Sequence, residues 1–450
     1  MQRLIKSKAG LSTGLTRRWL TTTTTTTTSS GTKTTVMSFG DGSHGALGLP
    51  SSVMGLGSDA YEPTPIQGLP DNISSIAAGH YHSLAVTSDG HVWSWGRNHE
   101  SQLGRSPPSP RETWNEPKKV EGLDQVRIQA AFASGVISAA IGEDGSLWVW
   151  GKSKRGQLGL GGGVIDPVLP TRVEALAGED VVKVSLGWGH ALALTQHGKL
   201  FGWGYYADGR LGRIGKSFES SPLDSVTGKF QPSKEISNPM LEAAEKLVLE
   251  GIEKEKGMPI IWEPSLIEEL RDVEVVDVSC GLDHSLVLCG DGTLLSSGSN
   301  VYGQLGRVNQ DSGMHPVDIK FRPLSIASGM GHSFAVCQNH ASDVTEDSPI
   351  IVSWGWNHNS QLGRNGPANI PLVVEALSSE TPITVSGGRA HSVAITARKE
   401  LWTWGCGRNG RLGLGSSADE PEPMVVEDLE GCEVMEAVAG FDHSLVLIGE

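Results

Sequence analysis

The stretch Val352–Gly366, VSWGWNHNSQLGRNG, sets a tryptophan before a glycine and closes its main phrase on Leu-Gly. Nearly the same words stand at Val92–Ser106 (VWSWGRNHESQLGRS) and at Leu401–Gly415 (LWTWGCGRNGRLGLG). Aligned on this phrase, the chain holds seven copies. Their first glycines are Gly40, Gly96, Gly151, Gly204, Gly298, Gly355 and Gly405. Eight residues on, always after leucine, come Gly48, Gly104, Gly159, Gly212, Gly306, Gly363 and Gly413. A spacing kept seven times marks the period of a repeat architecture.

A second phrase follows each copy: GHYHSLAV, GWGHALAL, GLDHSLVL, GMGHSFAV, GRAHSVAI and GFDHSLVL, carrying His82, His190, His284, His332, His391 and His443. After the second copy it reads SGVISAAI, with Ile137 at the histidine position. Turns such as Asp89-Gly90, Asp144-Gly145 and Asp291-Gly292 then lead into the next apolar run, a strong hairpin signal. The first glycines lie 56, 55, 53, 94, 57 and 50 residues apart. Periods in the fifties built of short strands and turns predict propeller blades of about four strands.

The Trp-Gly, Leu-Gly and Gly-x-x-His-Ser landmarks make the chain resemble the regulator of chromosome condensation family over residues 36–450. That resemblance implies an all-β, seven-bladed propeller. The chain stops at HSLVLIGE, where another VWSWG-like strand is due, while Thr35–Gly40 is a spare strand at the front. An N-terminal strand completing the C-terminal blade removes the open edge.

Recurrence blade after blade is the signature of packing. Trp95, Trp150, Trp203, Trp354 and Trp404 share one place, with Phe39 and Ser297 as substitutes, and aromatic burial there joins blades. The glycines suit positive φ or close backbone approach. The histidines are expected to bond turn backbone within their own blade. One histidine per blade spreads them round a ring, so no metal site is expected. Phosphate-loop, nucleophile-elbow and HExxH patterns are absent from the sequence, and GLGGG at Gly159–Gly163 lacks a following lysine. A non-enzymatic protein without cofactor is the expectation.

Glycine, at 58 of 450 residues, is almost double its usual share of roughly 7%. Five cysteines in no C-x-x-C pair argue against a disulfide framework or zinc. The net charge of −15 disfavours non-specific binding to phosphate backbones.

Residues 1–35 differ in kind. Arg3, Lys6, Lys8, Arg17 and Arg18 alternate with Leu4, Ile5, Leu11, Leu15 and Trp19, no acid precedes Asp41, and a Thr/Ser run fills 21–30. This composition predicts an organelle transit peptide, mitochondrial rather than chloroplast by its arginines, with Arg18 placed for cleavage between Leu20 and Thr21. The matrix is the expected destination.

Two features break the repeat. About forty extra residues fall in the fourth unit, between about 213 and 273. Within them, Asn238 to Gly257 reads as a helix with Met240, Leu247, Val248 and Ile252 on one apolar face, a candidate partner-docking element. A basic cluster, Lys152, Lys154 and Arg155, stands out on an acidic body as a candidate contact for RNA or an acidic partner. The sequence is similar to a plant mitochondrial family member acting in organelle transcript splicing. That likeness implies a mitochondrial scaffold or adaptor supporting RNA maturation and respiratory complex I biogenesis through protein partners, any RNA contact being indirect. Guanine-nucleotide exchange on a small GTPase is the alternative that the family implies.

Overall fold

A computed structural model describes residues 33–50, 57–106, 114–214, 259–308, 311–339 and 348–450. Seven four-stranded antiparallel sheets are arranged as propeller blades round a channel. Blade one comprises Ile73–Ala78, His82–Thr87, Val92–Gly96 and Lys118–Lys119, from the channel outward. Blade two is Ile128–Ser134, Ile137–Gly142, Leu147–Gly151 and Thr171–Arg172; blade three is Val181–Leu186, His190–Thr195, Leu200–Tyr205 and Ile260–Leu266. Blades four, five and six begin at Val275–Cys280, Arg322–Ser328 and Pro382–Gly387 and repeat the plan.

The closing blade joins both ends of the chain. Its inner strands are Glu433–Ala439 and His443–Gly449, and its outer strands are Thr34–Gly40 and Ala60–Pro65. The N-terminal side therefore supplies two strands, one more than the sequence reading expected. Thr34–Gly40 pairs with His443–Gly449 over seven residues, from Thr34 opposite Gly449 to Gly40 opposite His443. Every ladder bond formed there must break before the ring can open.

The strand sequences follow from this layering. The second strand of each blade is sandwiched on both faces, so HSLAVT, HALALT and HSVAIT are buried at every position. Such strands lack the polar alternation of half-exposed ones. Outermost strands of blades one, two, four and five are only two residues long, which leaves little edge for unwanted pairing.

The extra length lies within blade three, between Tyr205 and Ile260. Ile260–Leu266 is the outer strand of that blade and Glu268–Leu270 a 3-10 turn after it. The insertion is thus narrower than 213–273, because its last part carries blade hydrogen bonds. The helix with Met240, Leu247, Val248 and Ile252 lies outside the described residues, as do Leu20 and Thr21.

Candidate partner interface at the channel mouth

The repeated phrases build one inter-blade clasp. His82 Nε2 lies 2.8 Å from Ser138 Oγ of the next blade. The same bond joins His190 to Ser285, His284 to Ser333, His332 to Ser392, His391 to Ser444 and His443 to Ser83, at 2.9 to 3.3 Å. The expectation of bonds to turn backbone within each blade is therefore corrected: the partner is a serine in the neighbouring blade. Each serine hydroxyl donates its proton to the carbonyl before a Leu-Gly pair, as Ser138 does to Gln102 O and Ser333 to Gln304 O. With that proton committed, the histidine Nε2 must be the donor, and the ring is neutral. Burial holds His82, His284 and His332 down at about 3 and His443 at about 4.

The same carbonyls receive the tryptophans. Trp150 Nε1 donates to Gln102 O, Trp203 to Gln157 O, Trp354 to Gln304 O and Trp404 to Gln361 O, at 2.7 to 2.9 Å. Gly104, Gly159 and Gly363 have φ near +65°, and a Cβ there would meet the next blade's indole at 3.0 Å or closer. Gly96, Gly151 and Gly355 instead lie so near the backbone before the histidine position that a Cβ would overlap a carbonyl oxygen at 2.5 to 2.7 Å. These recurring residues are scaffold by their contacts.

One seam departs from the pattern. Between blades two and three, Ile137 replaces the histidine and Ala191 the serine, and both sit in one buried apolar cluster. The other six seams also carry a backbone bond at the channel mouth: His80 N to Gly135 O, Trp188 N to Leu282 O, Leu282 N to Met330 O, Met330 N to Gly388 O, Arg389 N to Phe441 O and Phe441 N to Gly79 O. Among the described residues no such bond crosses from blade two to blade three. There Gln157 Nε2 donates to Gly187 O at 2.8 Å.

Above that seam the channel mouth is aromatic and cationic. Trp188 stacks on His80 with centroids 5.0 Å apart and planes 16° from parallel. His80 meets Phe441 at 4.4 Å, and the guanidinia of Arg155 and Arg389 lie over Trp188 and Phe441 at 5.6 and 4.7 Å. A chain of cation–π and aromatic contacts thus runs across the mouth, over a channel cavity of about 300 Å³. Burial, with smaller contributions from His443 and Arg389, lowers His80 to about 4, so its ring is neutral at physiological pH. Deeper in the channel Lys183 Nζ pairs with Asp277 Oδ1 at 2.5 Å, and Glu436 Oε2 accepts from Ile76 N at 3.0 Å.

Of the basic cluster, Arg155 reaches this mouth through Trp188, Lys154 is its exposed neighbour in sequence, and Lys152 Nζ is turned to Asp166 at 3.8 Å. The stack of His80, Trp188, Phe441 and Arg389 escaped sequence reasoning. All four occupy the first of the two variable places inside Gly-x-x-His, and variation there is itself the available signal.

Comparison with known proteins agrees with this architecture. The family model described as RCC1-like domain matches residues 35–446. The ultraviolet-B receptor of Arabidopsis thaliana is 28% identical, covering 88% of this chain and 78% of that protein. The mitochondrial RCC1 domain-containing protein RUG3 of Arabidopsis thaliana is also 28% identical, covering 79% of this chain and 88% of the relative. Among solved structures, Prp20p of Saccharomyces cerevisiae superposes with a TM-score of 0.72 at 22% identity, over 93% of this chain and 92% of that one. With the phrase, the blade count and the ring closure all accounted for, the chain belongs to the RCC1-like domain family.

Proposed function

We propose that this propeller is a mitochondrial adaptor, acting through protein partners to support splicing of organelle transcripts and, through it, assembly of respiratory complex I. The observation that carries the reading is the similarity, over most of both chains, to a relative named as mitochondrial. The basic, acid-free residues 1–20 are consistent with the same compartment. The site geometry fits a scaffold: the recurring polar residues are spent on inter-blade clasps, and the variable ones gather at one mouth. Docking, rather than bond-making, is what such a surface can do.

The test has two arms. A fusion of residues 1–35 to a fluorescent protein should enter mitochondria, and loss of the gene should leave unspliced organelle transcripts with reduced complex I. Intact splicing together with a slowed GTPase cycle would replace this reading with nucleotide exchange.

A further inference from the structure

The cations round the mouth are mostly neutralised. Arg97 pairs with Glu100, Arg210 with Asp208 and Asp283, and Arg389 and Arg411 share Asp442. Arg155 and Lys154 differ: among the described residues, neither has a carboxylate within ion-pair distance. Their sector also holds Trp188, which is 39% exposed although it stands at the inner rim. Gly135 leaves the indole room, with a Cβ there still 3.9 Å from the ring. The sector lies above the seam that lacks both the histidine clasp and the mouth backbone bond. Three departures from the repeat therefore coincide at one place.

We infer that the Lys154–Arg155–Trp188 sector, above the seam of blades two and three, docks an acidic segment of a partner protein that carries an aromatic or aliphatic anchor. The anchor packs on the exposed indole, where Arg155 sits at 5.6 Å, the longest cation–π distance among the described residues. The flanking carboxylates meet Arg155 and Lys154, and Arg155 can take a carboxylate in bidentate fashion while keeping its aromatic contact. Charge complementarity selects a short peptide over nucleic acid. On the rest of the rim Arg97, Arg210, Arg389 and Arg411 are already paired with Glu100, Asp208, Asp283 and Asp442, so a polyphosphate crossing the mouth gains little attraction beyond this sector. A compact acidic motif confined to two blades needs no further cations.

This inference rests on the adaptor reading but fails separately from it, because its test uses the purified full chain rather than transcripts. A display library of random short peptides is selected on the wild-type protein and counter-selected on Lys154→Glu/Arg155→Glu. Enriched peptides should carry Asp or Glu flanking an aromatic or aliphatic residue. Synthetic copies should bind the charge-reversed variant and Trp188→Ala at least about tenfold more weakly. Lys320→Glu, on an exposed residue outside the mouth, should bind as wild type does. Circular dichroism and melting of each variant separate lost binding from lost folding. Peptides without acidic character, or peptides retained by the charge-reversed variant, overturn the proposal. So does a labelled oligouridylate that binds at this sector while no acidic peptide is enriched, an outcome that assigns the site to RNA.

Discussion

His82 Nε2 lies 2.8 Å from Ser138 Oγ, across the seam between the first two blades, and Ser138 in turn donates to Gln102 O. The chain of donors works only when both side chains are present. Where the histidine is lost, at Ile137, the serine is lost too, at Ala191. A lone histidine would bury an N–H without an acceptor, and a lone serine would offer an oxygen lone pair that nothing fills.

The two substitutions should accordingly be coupled. In a Ser134→Gly background, which gives the imidazole the room that glycine gives it in the other blades, Ile137→His alone is expected to destabilise the protein by about 1–3 kcal/mol, the cost of an unsatisfied buried donor. Adding Ala191→Ser should recover most of that loss. Denaturant melts of the two single variants and the double variant form the cycle, and additive effects would remove the clasp as a cooperative unit.

Trp203 and Trp354 make the same bond but should not be equally replaceable by phenylalanine. Gln304 O accepts from Trp354 and also from Ser333, so Trp354→Phe leaves it satisfied. Gln157 O accepts from Trp203, and Ala191 offers no second hydroxyl. Trp203→Phe should therefore cost about 1–3 kcal/mol more than Trp354→Phe, by thermal or chemical melting. Phe39 already stands at this position in the closing blade, where Ser444 supplies the donor to Arg411 O.

Much of this is legible in the sequence. The eight-residue glycine spacing recurs because one glycine avoids a carbonyl of its own blade and the other an indole of the next, and both constraints repeat from blade to blade. The histidine partners were not legible, since each serine lies 49 to 95 residues away, or 360 across the closure. Sequence spacing says nothing about which blade a side chain faces. Outer strands were illegible for another reason. They run from two residues, as at Lys118–Lys119, to seven, as at Ile260–Leu266, with no common phrase, which is why the insertion boundary was set too late.

Gly363→Ala and Gly178→Ala separate backbone strain from crowding. Both glycines have positive φ, +65° and +88°. A Cβ at Gly178 meets open space, whereas one at Gly363 would come within 2.7 Å of Trp404 Nε1. Gly178→Ala should cost about 1 kcal/mol, the left-handed penalty alone. Gly363→Ala should cost about 2 kcal/mol more, as the indole of the next blade is displaced. Equal losses in melting experiments would refute a packing role for the Leu-Gly glycine.

Glu436 and the clasp histidines should pull stability in opposite directions with pH. Glu436 lines the channel, where enclosure by the inner strands pushes its carboxyl up to about 8, against smaller opposing effects of Ile76 N–H and Ser75. Its raised value means that the unfolded chain releases this proton first, so the folded state loses stability as pH rises from about 4.5 to about 8. Glu436→Gln removes that titration and can still accept from Ile76. The variant should gain stability over wild type progressively through this window and show little difference below it. The histidines act the other way: their folded values near 3 to 4 lie below the usual 6.5, so their stabilisation is complete above about 6.5 and is lost as pH falls toward 3. Wild type and Glu436→Gln, unfolded by urea from pH 4 to 9, should therefore diverge at the alkaline end and share the same acid limb; a constant offset across that range would mean that Glu436 does not titrate in the window.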